Sequence, residues 1–375
     1  MSEPDERPEP DRIDGAPHPR MAPRVIGQDP AQAAFLEAFN ADRMHHGWLI
    51  TGPRGVGKAT LAWTIARFLR AHPPAADALF APPPATSLDL PEDHPVVAQA
   101  RALSEPGIFL LRRGWNDKVK PARLYADITV DEVRKLRSFF ALTLPDGGRR
   151  VVIVDAADEM NPNAANALLK LLEEPPAGAV LLLVAHQPMR LLPTIRSRCR
   201  ELRLGPLAPD ALAAVLDQTG TEAEASDALL ELAQGSAGEA LALAGQDGPA
   251  LYARLVALLA HAPRYDRQAA MGLAAEAAGR GHEQRFALIV RLIRTLLARL
   301  ARHGAGMTPE REAAPGEAAL LARLAPGPAS ARAWAALEQD LSARAGHAVA
   351  VNLDPAALIL DMIFRINETA AQEAA

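Results

Sequence analysis

Residues 48–60 read WLITGPRGVGKAT, and their reading decides the fold. A short apolar run, Trp48–Thr51, leads into Gly52, four further residues, then Gly57 and Lys58. Glycines so placed let backbone N–H groups approach a phosphate at the positive end of the helix that follows. The lysine adds a point charge between phosphates. Gly52, Pro53, Arg54, Gly55, Val56, Gly57, Lys58 and Ala59 are therefore expected to form a phosphate-binding loop between a strand and a helix. One position departs from the usual pattern. A Ser or Thr directly after the lysine normally offers its hydroxyl to magnesium; here Ala59 stands there and Thr60 comes one residue late. One helical step turns a side chain by about 100°, so Thr60 is no simple substitute. Two readings stay open: a loop kept for its shape, and a loop that still holds nucleotide or phosphate.

Further strands are expected at Ile108–Leu111, Val151–Val154 and Val180–Ala185, all short apolar runs. Helical patterns separate them. One follows ITVDEVRKLRSFF, with Thr129 and Glu132 spaced as a capping box and Val133, Leu136 and Phe140 on one face. Another follows MNPNAANALLKLLEEPP, with Asn161 as N-cap, Pro162 at the first helical position and Pro175 beyond the end. Such alternation predicts an α/β domain with a parallel sheet covered by helices on both faces. From Pro209 onward the pattern is helical, broken by glycines, and predicts a small bundle over 207–262 and a larger all-α domain over 263–375. EQRFALIVRLIRTLLARLAR, residues 283–302, is its strongest amphipathic helix. The P-loop domain is expected over 23–206, with a proline-rich, exposed insertion at 71–107. Residues 1–22 are acidic, proline-rich and without an apolar core, so they are expected to be a disordered tail rather than a signal peptide.

Composition narrows the chemistry. The 375 residues carry a formal net charge of −5, which gives no overall pull towards nucleic acid. No apolar run approaches the ~18 residues a membrane span needs, so no membrane partner and a cytoplasmic location are expected. Cys199 is the single cysteine, which excludes an intramolecular disulfide and any multi-cysteine zinc site. The ten histidines form no ligand set, and no metal site is expected. In VVIVDAADEM, Asp155 ends a strand where a carboxylate would hold magnesium through water; a simple strand-end cap is the equal alternative. Asp158 and Glu159 are expected on a solvated turn. The arginines of IRSRCR, 195–200, could meet a phosphate or a partner's carboxylates, or remain solvated.

Taken together, RVIGQDPA (24–31), HHGWLITGPRGVGKAT (45–60), VVIVDAADEMNPNAANALLKLLEEPP (151–176) and LLPTIRSRC (191–199) resemble the AAA+ subunits of the bacterial DNA polymerase III clamp loader. The resemblance implies an AAA+ domain, a helical lid over 207–262 and a helical collar for oligomerisation over 263–375. Within that family the departures resemble the delta-prime type rather than the hydrolysing tau/gamma type. Ala59 replaces the magnesium hydroxyl, Ala156 the catalytic glutamate, His186–Gln187 the sensor threonine, and Gly238 of GSAGEA the sensor arginine. What the resemblance carries over intact is Arg198, which in the family reaches into a neighbouring subunit's ATP site as an arginine finger. It implies tau/gamma and delta subunits as partners, the sliding clamp and primer-template DNA as what the complex handles, and no cofactor of its own beyond ATP or phosphate at the degenerate loop. The four-cysteine zinc module that many such subunits carry has no cysteines here. The alternative is an active clamp-loader ATPase of the tau/gamma kind that uses Thr60.

Overall fold

The structure, a computed structural model, describes residues 7–13, 16–74, 83–120, 122–144, 147–220, 225–279, 281–350 and 353–373. The chain divides into two compact units: residues 1–220 with Gly235–Gly238, and Thr221–Gln234 with Glu239–Ala375.

The first unit is built on a parallel sheet. Its strands are β1 (Gly47–Thr51), β2 (Ile108–Leu111), β5 (Arg150–Asp155), β6 (Ala179–Ala185) and β7 (Arg200–Arg203), in the order β2-β5-β6-β1-β7. A small antiparallel pair, β3 (Trp115–Asn116) and β4 (Arg123–Leu124), stands beside it. The strands at the centre are buried throughout, β1 and β6 at every position, which is why they read as unbroken apolar runs. The helices are α1 (Asp29–Asn40), α2 (Lys58–Ala71), α3 (Pro95–Arg101), α4 (Val130–Ala141), α5 (Pro162–Glu173), α6 (Pro193–Arg196) and α7 (Pro209–Gln218). On one face of the sheet, Phe35 and Ala38 of α1 and Leu61, Trp63, Ile65 and Phe68 of α2 pack on Trp48, Ile50, Ile153 and Leu182. On the other, Val133 and Leu136 of α4 and Leu168 and Leu172 of α5 pack on Leu49, Val152, Val154 and Leu183. Burying each such large apolar side chain is worth ~1.5–3 kcal/mol. The result is a three-layer α/β domain.

Local sequence explains most of these elements. Asn161 caps α5: its side chain accepts the Ala164 N–H at 2.9 Å, Pro162 follows at the first helical position, and the helix stops ahead of Pro175. At α4 the expected capping box does not form. Thr129 makes no side-chain cap, and Glu132 instead pairs with Lys135 one turn on at 2.6 Å. A solvated ion pair on the helix surface competes with the cap for the same carboxylate.

Two expectations are corrected. The tail expected over 1–22 is held against the domain at points within 7–13 and 16–22: Ala16 and His18 are buried, and the Arg67 guanidinium donates to the Ala22 carbonyl at 3.0 Å. Its charges are satisfied by the domain, which composition could not reveal; residues 1–6 and 14–15 lie outside the described residues. The insertion at 71–107 contains α3, whose Val97 and Ala100 are buried, and Leu88 is 1% exposed. Residues 75–82 of it lie outside the described residues.

The second unit is helical among the described residues: α8 (Asp227–Ala233), most of α9 (Ala237–Ala244), α10 (Gly248–Leu259), α11 (Arg267–Ala275), α12 (Glu283–Gly304), α13 (Glu317–Leu324), α14 (Pro328–Ala350) and α15 (Pro355–Glu373). α12 buries Leu288, Leu292, Ile293, Leu296, Leu297 and Leu300, the stripe its amphipathic pattern predicts. The spans expected as lid and collar fall mostly within this unit, with α7 grouped in the first.

Candidate functional site

The loop Gly52–Gly57 connects β1 to α2 at the C-terminal end of the sheet, beside the point where strand order reverses. Open parallel sheets place ligand crevices there. Glycine is required by space as well as backbone angle. A Cβ on Gly52 (φ +140°) would lie 2.4 Å from the Leu204 carbonyl, and one on Gly55 (φ +78°) 2.2 Å from the Ser236 hydroxyl.

Lys58 begins α2 and is 3% exposed. Its ammonium donates to the carbonyls of Gly52 at 2.8 Å and Pro53 at 2.5 Å, so it is held by its own loop. Burial lowers its pKa to about 8, against the opposing pull of Asp155 and Asp158. Asp155 ends β5, and burial together with the charges of Asp11 and Glu159 raises its pKa to about 7. A carboxylate in that state has weakened hold on a cation near neutral pH. Ala59 is half-buried at the start of α2 and Ala156 is 3% exposed just after β5.

Asp158 is a correction to the sequence reading. It is 8% exposed rather than solvated, and its two oxygens accept the backbone N–H groups of His186 at 2.9 Å and Gln187 at 3.0 Å. The turn after β5 is thereby tied to the end of β6. Burial and the nearby Lys58 charge push the His186 ring down to about 4, so it is a neutral imidazole at physiological pH. Glu159 pairs with Arg113 at 2.9 Å.

Gly238 lies directly on the loop. Its N–H donates to the Gly55 carbonyl at 3.0 Å, and the Ser236 hydroxyl donates to the Arg54 carbonyl at 3.0 Å. A Cβ on Gly238 would fall 2.5 Å from Ile13 Cδ1 and 3.0 Å from Gly55 Cα. The position where active relatives are expected to carry an arginine is thus filled by backbone and by the N-terminal segment.

Sequence reasoning missed Gln28. Its amide is buried, donates to the carbonyls of Val56 at 3.1 Å and Gly205 at 2.9 Å, and accepts the Gly205 N–H at 3.3 Å. It fastens the loop to the segment after β7. Its place in RVIGQDPA was visible; its partners, 28 and 177 residues away, were not.

Arg198 sits apart from this cluster, after α6. Its guanidinium donates to the Thr194 carbonyl at 3.1 Å and pairs with Glu173 of α5 at 3.0 Å, with the two side chains 38% and 43% exposed. Cys199 beside it is free, and burial pushes its thiol up to about 12, which makes it inert. Among the described residues no cluster of His, Cys, Asp or Glu could hold a metal ion, and no helix is long and apolar enough to cross a membrane.

A family model described as DNA polymerase III, delta subunit, matches residues 27–208. The DNA polymerase III subunit delta' of Pseudomonas aeruginosa is 40% identical over 171 residues, 45% of this chain and 46% of that one. The corresponding subunit of Escherichia coli is 32% identical over 213 residues, 56% of this chain and 57% of that one. The chain thus spans about half the length of these curated relatives. A solved DNA polymerase III, gamma subunit-related protein from Thermotoga maritima is 18% identical with a TM-score of 0.39, covering 90% of this chain and 99% of that one.

Proposed function

We propose that this chain, which over residues 27–208 matches the delta-prime type of clamp-loader subunit of bacterial DNA polymerase III, is a stator subunit which does not hydrolyse ATP itself. It would stand in a ring with tau/gamma and delta subunits and support ATP-dependent placement of the sliding clamp on primed DNA. The family match carries this reading. The non-hydrolysing role rests on the site: Ala59 and Ala156 offer no group to bind magnesium or orient water, and Lys58 is committed to Gly52 and Pro53.

Arg198 is the residue through which the chain would act on chemistry. It is half-exposed and oriented by Glu173 and Thr194. A guanidinium delivered in trans can stabilise charge on a transferring phosphoryl group, because its planar fork matches phosphate oxygens. ATP or phosphate at the degenerate loop would then be structural rather than turned over.

Reconstitution tests the role. The chain is expected to co-elute with tau/gamma and delta subunits, and omitting it should reduce clamp loading to background. Full loading by a complex assembled without the chain would remove it from this role. The tau/gamma-like alternative is favoured by no feature of the site beyond Thr60.

A further inference from the structure

The described N-terminal residues do not wander over the surface; they cross the site. Glu9 pairs with Arg20 at 2.7 Å and Arg112 at 3.1 Å. Asp11 pairs with Arg112 at 2.5 Å and with His18 at 3.0 Å, and the side chains of Asp11 and His18 are each 2% exposed. Behind it, His18 packs edge-on against Trp63 of α2, ring centroids 6.1 Å apart. A turn closes between Glu9 and Arg12, whose Nε donates to the Ala16 carbonyl at 2.6 Å.

The anchor places this segment. Arg112 directly follows β2, whose last residue Leu111 pairs with Val154, so the anchor lies at the same end of the sheet as Asp155. The charge of Asp11 is felt at Asp155. Two residues further on, Ile13 reaches Gly238, which bonds to Gly55 of the phosphate loop. The segment therefore runs from the carboxylate side of the site to the loop side.

We propose that Glu9–Ile13 is an intramolecular strap across the mouth of the phosphate loop, and that a nucleoside triphosphate reaches the loop only when the strap is displaced. Glu9 and Asp11 repel an incoming polyphosphate, and their attachment to Arg112 keeps a cation that could have met it occupied. Ile13 blocks the space over Gly238. Weak nucleotide binding would then arise from the chain's own tail as well as from Ala59. This goes beyond the clamp-loader role and is separable from it, because the experiment needs only the purified chain.

The strap can be released from either side in the full-length chain. One variant combines Glu9→Gln with Asp11→Asn; the other is Arg112→Gln. Equilibrium binding of a fluorescent ATP analogue with magnesium is expected to tighten at least tenfold in both. The gain should vanish when Lys58→Ala is added to either variant. The amides of Glu9, Asp11, Arg12 and Ile13 in the unmodified chain should exchange hydrogen faster at saturating nucleotide. Unchanged affinity in both variants, with unchanged exchange in the parent, overturns the strap. A gain in binding by a chain that fails to enter the loader would keep the strap and remove the proposed role.

Discussion

Replacing Arg198 with alanine is expected to leave folding and assembly intact while slowing ATP hydrolysis at the neighbouring subunit's site, where the proposal places its guanidinium, by about 10³-fold or more. Clamp loading by the reconstituted complex should fall with it. In this chain the side chain loses only a half-exposed pair with Glu173 and a bond to the Thr194 carbonyl, worth less than about 1 kcal/mol. The thermal midpoint of the isolated chain should therefore barely move. Arg198→Lys keeps the charge but not the planar fork, so it should restore little of the rate. ATPase and loading rates equal to the parent complex in Arg198→Ala would take the residue out of the mechanism.

The second large effect concerns stability of the helical unit. Glu317, 1% exposed at the start of α13, accepts from Arg299 Nε at 2.6 Å, Arg299 Nη2 at 3.0 Å, the Tyr252 hydroxyl at 2.5 Å and the Ala313 N–H at 2.6 Å. Three helices, α10, α12 and α13, meet at this one carboxylate. Removing it leaves the buried Arg299 guanidinium with only Glu231 at 3.3 Å and the Arg311 carbonyl at 3.1 Å. Breaking a buried pair by deleting one partner costs about 3–5 kcal/mol. Glu317→Ala should thus lower the Tm of this unit by roughly 6–20 °C. Arg311→Ala, which breaks only the exposed pair with Asp227, should cost less than about 1 kcal/mol. Equal, small losses in both variants by calorimetry would show that the network contributes nothing special.

How much of this could be read from the chain depends on the range of the interactions. Three strands, β1, β5 and β6, were legible because each is buried along nearly its whole length and leaves a continuous apolar run, and β2, half-buried at the edge, still reads as one. β7 was not, since Arg200–Arg203 is an edge strand in which Leu202 alone is buried. α5 was legible from Asn161 and Pro162, local signals that fix a helix start whatever surrounds it. The strand–loop–helix around Gly52–Lys58 and the strand end at Asp155 were legible for the same reason: they are set by residues adjacent in sequence. Asp158 was misread because what it binds, the amides of His186 and Gln187, lies just beyond the end of another strand, β6. Glu9 and Asp11 were misread because an acidic, proline-rich stretch looks solvated until Arg20 and Arg112 are brought beside it.

Ala59 and Gly238 lie at or against the Gly52–Lys58 loop and Ala156 just after β5, while Arg198 stands apart, after α6. This arrangement suits a subunit that lends a charge to its neighbour's reaction while its own site stays silent. The most direct test is ATP turnover by the purified chain alone, with magnesium, sliding clamp and primed DNA, measured beside Lys58→Ala. Turnover no higher than that of the Lys58→Ala control is the predicted result. Clear turnover in the parent that Lys58→Ala abolishes would contradict the account and make the chain an ATPase in its own right.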